Sequence, residues 1–291
     1  MGTKQLEVNK VIKVTAMDRL NFLVKDLEEG AKFFGGLLNL DWRYIEDKEN
    51  DIKGVISSPG VFLISPLTKD GPTARHLAKK GEGISMITFE VENYKDAIGH
   101  FKSRGIRQVG AGLFHPKDAY GVMIELCPPE RAIRWRRGTY TGGTSLPTPP
   151  FAYRYPNDKA IRVKALHHIN FLVKDLDEAG KFFSDLLGLE FRRSGSSVND
   201  FRGLRSQVGI TLISPLTPEG PTARNLAKKG EGISIVMLET ENVEDAIAHF
   251  KSRGIRPVSR PLWDPRDTHS VMFELTDRPR TEMWTKDLPP M

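Results

Sequence analysis

The chain has 291 residues, 39% of them hydrophobic and 27% charged, with a net charge of +6 from 43 basic and 37 acidic side chains. That length suits about two domains with sizeable cores, and the balance excludes a disordered chain. No apolar run reaches the ~18 residues of a membrane helix, and a single cysteine, Cys127, excludes an intramolecular disulfide or a cysteine-cluster metal site.

The N-terminal "MGTKQLEVNK" lacks a signal-peptide core, so cytoplasmic residence is the expected default, with no membrane partner. At a constant offset of 149, residues 17–126 superimpose on 166–275 without a gap, and 62 of the 110 aligned positions are identical. The chain is therefore a tandem duplication. The expected division is a first domain over 12–129, a linker over 130–160, a second domain over 161–277 and a tail over 278–291.

Each copy opens with an apolar strand, "RLNFLV" or "HINFLV". In the following "KDLEEGAKFFGGLL" and "KDLDEAGKFFSDLL", Leu27, Ala31, Phe34 and Leu38 recur at helical spacing, with Asp26 or Asp175 as N-cap. Strand-like segments over 41–57 and 190–206 lead into "GVFLIS" and "VGITLIS". "GPTARHLAKKG" and "GPTARNLAKKG" read as short helices with Pro in the first turn and Gly at the end. A second cycle follows: a strand ("ISMITFEV", "ISIVMLET"), a helix stopped by glycine, and a closing strand ("VMIEL", "VMFEL"). The order β-α-β-β-β thus occurs four times, which predicts an α+β fold with a twisted, antiparallel-rich sheet curled around a cleft.

The linker "RAIRWRRGTYTGGTSLPTPPFAYRYPNDKA" holds much of the basic excess. Its Gly and Pro forbid a long helix, while Trp135, Phe151, Tyr153 and Tyr155 suit an ordered surface strap. Without a zinc-finger or RNA-binding signature, no nucleic-acid partner is expected.

Three stretches carry a family likeness: "LHHINFLVKDLDEAGKFFSDLLGLE", "LISPLTPEGPTARNLAKKGEGIS" and "FHPKDAYGVMIEL". They resemble the vicinal oxygen chelate superfamily, which includes glyoxalase I, bleomycin-resistance proteins and extradiol dioxygenases, and within it the methylmalonyl-CoA epimerase-like branch. The resemblance implies paired modules forming a cup whose floor holds a divalent metal on four strands. The corresponding positions are His168, Thr211, Ile235 and Glu274 in the second copy and Arg19, Phe62, Met86 and Glu125 in the first. Both depart from the metal-binding pattern.

Strand alternation sets Arg19 on one face with Asn21, and His168 with Asn170; Met123 shares a face with Glu125 and Met272 with Glu274. The first copy reads as a degenerate pocket of Arg19, Asn21, Phe62, Met86 and Glu125, with Arg19 in the metal's place and paired to Glu125. In the second copy a hydrogen-bonded pair of His168 and Glu274 is the candidate acid–base group, beside Asn170, Thr211, Ile235, Met272 and His269 as substrate contacts. The same His168 and Glu274 would be the ligands of an incomplete metal site, so the cofactor expectation is none or a weakly bound divalent metal. Alternation places His167 opposite to His168, and His269 opposite to Glu274. Arg75, Lys79, Lys80, Arg224, Lys228 and Lys229 on the short helices are candidates to meet phosphate at a helix N-terminus, and "HPKD" at 115–118 is a candidate substrate loop matched by Asp264–Asp267.

The expected function is a small-molecule isomerase or lyase acting on a carbonyl or carboxylate substrate, acyl-CoA and other anionic compounds included, with the second copy active. The alternatives are a non-catalytic small-molecule-binding protein and an extradiol-type dioxygenase. A homodimer is compatible with this organisation.

Overall fold

The computed structural model describes residues 12–57, 59–132, 149–151, 161–259, 261–283 and 291. Most of the linker, including Trp135, Tyr153 and Tyr155, lies outside them. No helix among the described residues is long and apolar enough to cross a membrane.

The first copy runs β1 (Val14–Leu23), α1 (Leu27–Leu38), β2 (Arg43–Asp47), β3 (Ile52–Ser57), β4 (Val61–Pro66), α2 (Pro72–Lys80), β5 (Gly83–Val91), α3 (Tyr94–Ser103), β6 (Gln108–Gly110), β7 (Leu113–Phe114) and β8 (Met123–Cys127). The second repeats it as β9 (Val163–Leu172), α4 (Leu176–Leu187), β10 (Phe191–Ser196), β11 (Phe201–Ser206), β12 (Ile210–Pro215), α5 (Pro221–Lys229), β13 (Gly232–Thr240), α6 (Val243–Ser252), β14 (Pro257–Ser259), β15 (Leu262–Trp263) and β16 (Phe273–Thr276), followed by α7 (Arg280–Met283). Each copy builds one eight-stranded sheet, in the orders β2-β3-β4-β1-β5-β8-β7-β6 and β10-β11-β12-β9-β13-β16-β15-β14. The two modules of a copy meet where the opening strands pair antiparallel, β1 with β5 and β9 with β13. Pairing is thus local to each copy, and the α+β architecture is the one the sequence predicts.

Local chemistry sets the element ends. Asp26 and Asp175 accept hydrogen bonds from the backbone N–H of Glu29 and Glu178, 3.0 and 2.9 Å away, capping α1 and α4. Asn39 and Gly188 close the same helices in the left-handed conformation.

The copies meet through a pseudo-twofold seam. Tyr120 packs on Phe182 and Phe183 of α4, with ring centroids 5.2 and 5.4 Å away, and its counterpart His269 packs on Phe33 and Phe34 of α1 at 4.9 and 5.3 Å. Both side chains stand on tight turns at positive φ, 51° and 49°. Non-glycine residues seldom adopt that conformation, and here it aims each ring at the other copy's helix. His100 Nε2 lies 2.9 Å from the Asp185 carbonyl, and the equivalent His249 Nε2 lies 3.2 Å from that of Gly36. Phe22 and Phe273 stack across the seam, and one apolar core runs through both copies.

Phe34 is fully buried against Phe22, Phe273 and His269. Phe34→Ala is expected to cost about 3–5 kcal/mol. Because the core is shared, urea unfolding of this variant should remain a single transition at a lower midpoint. Two separated transitions, with the second copy unshifted, would contradict a shared core.

Candidate functional site

The site begins with an irregularity in the opening strands. Met17 and Arg19 pair with the consecutive Phe89 and Thr88, so Asp18 is an extra residue in β1. Leu166 and His168 likewise pair with Leu238 and Met237, which makes His167 the extra residue of β9. Such a bulge breaks strict alternation, and neighbouring side chains can then meet. In the second copy His167 Nδ1 and His168 Nδ1 are 2.7 Å apart, which corrects the expectation that His167 points away. In the first copy the same bulge lets Arg19 Nη1 donate to Asp18 Oδ2 at 2.5 Å.

Arg19 Nη2 also donates to Glu125 Oε2 at 2.8 Å, and Thr88 Oγ1 donates to that oxygen at 2.6 Å. Burial pushes the Asp18 carboxyl up to about 6 against the pull of Arg19. Burial also opposes the charge on Arg19, but Glu125 and Asp18 hold its pKa above the ordinary value. The Cys127 thiol is buried beside this group and pushed up, chiefly by desolvation.

Beyond this network the first cup is filled. Leu23, Ile56, Phe62 and Ile64 form a buried cluster joined by Ile45, Ile52 and Leu77 of α2. A side chain at Gly54 would meet the Phe62 ring at 2.4 Å. Strand register aligns Met123, Met86, Asn21, Phe62, Ile56 and Arg43 across the sheet.

The second cup keeps the frame and changes the contents. The aligned residues are Ile235, Asn170, Thr211, Arg205 and Arg192, so Arg205 replaces Ile56 and Thr211 replaces Phe62. Ser194 stands where the first copy has Ile45. Thr211 Oγ1, Ser194 Oγ and Asn170 Oδ1 are buried without a hydrogen-bond partner among the described residues. Buried polar atoms ordinarily have partners, so this wall is chemically suited to a polar ligand or water.

His168 and Glu274 face this cup but make no hydrogen bond to each other. Both are in register with Met237 of β13, one on either side. Two strand spacings, about 9–10 Å, separate their backbones. Arg19 bridges the same gap to Glu125 because a guanidinium stem is long; an imidazole is too short. The residue between the pair is therefore Met237, with Thr88 as its counterpart, and Ile235 lies one step along in the Asn170 line. The sequence reading missed Met237, Thr88, Asp18 and Arg205. The Ile56-to-Arg205 change was visible in the alignment of the copies.

Charge shapes the second cup. Burial lowers His167 to about 4, helped by Arg280 and Arg205. Burial and the neighbouring His167, Arg205 and Arg280 hold His168 well below the ordinary histidine value. Burial raises Glu274, while Arg205 pulls it back. Arg280 arrives from the C-terminal segment, its Nη1 3.5 Å from the His167 carbonyl and 3.3 Å from that of Val208. At neutral pH the imidazoles are uncharged.

A divalent metal does not fit these residues well. The strong donors in the cup are His168 and Glu274, and Met237 and Ile235 offer no hard ligand between them. Among the described residues no group of three or more His, Cys, Asp or Glu side chains could hold an ion. Arg205 adds a repelling charge.

Other candidates lie elsewhere. His269 is at the seam, with Nδ1 3.0 Å from Glu82 Oε2, and Met272 lines a cleft between the copies. The left-handed turn carries His269 out of the strand face that alternation would assign. Arg75 and Arg224 donate to the carbonyls of Asp70 and Glu219, bracing the loops before α2 and α5. The four lysines sit in the last turns of those helices, not at their N-termini. In the "HPKD" loop His115 accepts from the Lys117 N–H, and Asp118 is gripped by Arg107 at 2.7 and 2.8 Å, as Asp267 is by Arg256.

Two measurements check these readings. His167 titrates near 4 when folded, against 6.5 for the ordinary group. Between those values the unfolded chain takes up a proton that the folded chain does not, so acidification from pH 7 to 5 costs about 2 kcal/mol through this group. Asp18, raised to about 6, acts in the opposite sense over the same range. The comparison of native protein with His167→Gln isolates the histidine: the variant should lose about 2 kcal/mol less stability between pH 7 and 5 in denaturant titrations. An unchanged difference would contradict a buried neutral His167. Separately, elemental analysis of protein purified without added metal or chelator should find well below one tightly held divalent ion per chain. Near-stoichiometric metal retained through dialysis would overturn the reading of the donor set.

Comparison with known proteins places this geometry in context. The family described as Glyoxalase/Bleomycin resistance protein/Dioxygenase superfamily matches residues 18–123 and 167–273. The mitochondrial methylmalonyl-CoA epimerase of Homo sapiens is 32% identical over 129 residues, covering 38% of this chain and 73% of that protein. The 4-hydroxyphenylpyruvate dioxygenase of Yarrowia lipolytica is 23% identical over 298 residues, covering 87% of this chain and 73% of that one. Among solved structures, a mutant 4-hydroxymandelate synthase from Streptomyces coelicolor aligns with TM-score 0.65 at 13% identity, covering 90% of this chain and 92% of the other, a likeness of fold. With the family match falling on both repeats and each repeat forming one curled eight-stranded sheet, the chain belongs to the Glyoxalase/Bleomycin resistance protein/Dioxygenase superfamily as a tandem-duplicated member.

Proposed function

We propose that the second cup binds a small carbonyl or carboxylate compound and moves a proton on it, as an isomerase or lyase. The carrying observation is the replacement of the first cup's apolar filling by Arg205, Thr211 and Ser194 around a neutral His168. A half-buried cation and unpartnered buried polar atoms favour an anionic, hydrogen-bonding ligand.

In this reading the ligand lies over Met237, between His168 and Glu274. The contact between the two Nδ1 atoms requires one ring to donate and the other to accept. When His168 donates, its Nε2 carries the lone pair and can accept a substrate proton. Burial above all, then His167 and the field of Arg205 and Arg280, make that nitrogen a weak base. An anionic ligand offsets this field, so basicity rises on binding. Arg205 stabilises negative charge developing on the ligand's oxygen. Glu274, raised by burial, can hold and return a proton from the other side. Two proton carriers flanking one carbon suit inversion of its configuration. The human relative's name makes a methylmalonyl-type acyl-CoA one compound to test. Iron-type chemistry, as in the dioxygenase relative, needs a third ligand where this cup has Met237 and Ile235, and no step is assigned to it.

Proton abstraction is directly measurable as exchange of substrate C–H for deuterium in heavy water, followed by NMR. The panel is methylmalonyl-type acyl-CoA, short 2-oxo acids and aromatic carboxylates. Native protein should exchange one class, and His168→Ala should slow it at least ~100-fold while retaining binding. Arg19→Ala should chiefly lower the melting temperature, since it strands Asp18 and Glu125. Binding without exchange in the native protein would assign a carrier role instead, and exchange indifferent to His168 would refute the proton pathway.

A further inference from the structure

The cups have diverged between the copies, but another surface has not. Residues 77–85 and 226–234 are the same nine-residue sequence, Leu-Ala-Lys-Lys-Gly-Glu-Gly-Ile-Ser. In the fold these two stretches face each other across the pseudo-twofold seam and wall a cleft of about 740 Å³. Its cationic lining is Lys79, Lys80 and Lys117 from the first copy and Lys228, Lys229 and Arg266 from the second.

Glu82 also lines the cleft, and it and the neighbouring acidic side chains are engaged by groups other than the cleft lysines. Glu82 accepts from the Lys25 N–H at 2.8 Å and meets His269 Nδ1 at 3.0 Å, and its counterpart Glu231 accepts from the Lys174 N–H at 2.8 Å. Asp264 is held by Arg266. Among the described residues none of the five lysines has a carboxylate at ion-pair distance. Lys229 is shifted down by burial and by the adjacent Lys228, and His76 by burial and by Lys80 and Lys79. Helix C-termini attract cations, which accounts for a lysine pair at the end of α2 or α5 alone. It does not account for both pairs converging on one cleft with Lys117 added; Arg266 is already paired with Asp264. Concentrating like charge is costly without a counter-charge. An anion bearing two or more phosphate-type groups matches both the charge and the twofold placement, since each group can meet one copy's lysine pair.

We propose that this cleft is a binding site for a diphosphate-bearing ligand, shared equally by the two copies and separate from the second cup. The source is either free diphosphate or the diphosphate of a nucleotide-type coenzyme. Gly83 and Gly232, at φ 141° and 146°, give the floor its shape, and an added Cβ at Gly83 would lie 3.7 Å from Ser270.

Titration calorimetry with pyrophosphate, ADP and inorganic phosphate at constant ionic strength tests the site on the full chain. One pyrophosphate or ADP should bind per chain, at least tenfold more tightly than phosphate. Lys79→Glu and Lys228→Glu, in different copies, should each weaken binding at least tenfold with unchanged melting temperature. A charge reversal on an exposed helix away from the cleft, Lys102→Glu, should leave affinity within twofold. Tighter binding of ADP than of pyrophosphate identifies a coenzyme as the source, and equal binding identifies free diphosphate. Two ligands per chain, equal loss in all three variants, or no binding by native protein would each overturn the proposal. Because the readout is binding at the seam, its failure is distinct from failure of proton exchange at His168.

Discussion

One constraint governs both copies: the outer faces of two curled sheets and the helices α1 and α4 share a single apolar core. Burying that surface is the dominant favourable term in folding, and it ties Phe22 and Phe34 of one copy to Phe273 of the other. A strand with one face committed to such a core cannot slip by a residue without turning that face to solvent. The concave faces carry no such obligation. They are where the copies were free to differ, and they do.

The difference can be followed through one bulge. The extra residue in each opening strand sets two consecutive side chains side by side. In the first copy they are Asp18 and Arg19, and the long guanidinium reaches on to Glu125, converting a cup into an ion-paired core beside the apolar Ile56 and Phe62. In the second they are His167 and His168, short and neutral, so Glu274 stays apart and the space over Met237 remains between them. A buried ion group of this kind adds little net stability once desolvation is counted. Its effect is to close the first cup chemically.

Much of this was legible in the residues. The duplication, the four β-α-β-β-β modules and the caps at Asp26 and Asp175 follow from periodicity and turn chemistry, because local preference and global fold agree there. Arg19 and Glu125 were legible as a pair because opposite charges on one inward face have few alternatives. Strict alternation hides the bulge, so it sets His167 on the wrong face, and it says nothing of the strand that lies between His168 and Glu274. His269 was misplaced for a related reason: a left-handed turn carries it to the seam. The contrast of Ile56 with Arg205 needed no structure, only a comparison of the two copies position by position.

The seam has a further consequence in its unequal pair of ring contacts. His269 packs on Phe33 and Phe34 and reaches Glu82, whereas Tyr120, at the matching place, packs on Phe182 and Phe183 and has no titratable nitrogen to offer Glu231. A first copy that joined the first copy of another molecule would set Tyr120 against Glu82 and forfeit that polar contact. A union of two second copies would set His269 against Glu231 twice. The turn at residue 269 thus gives the pseudo-twofold seam a direction: one of its two equivalent polar contacts is made, to Glu82, and the other, to Glu231, is replaced by ring packing alone.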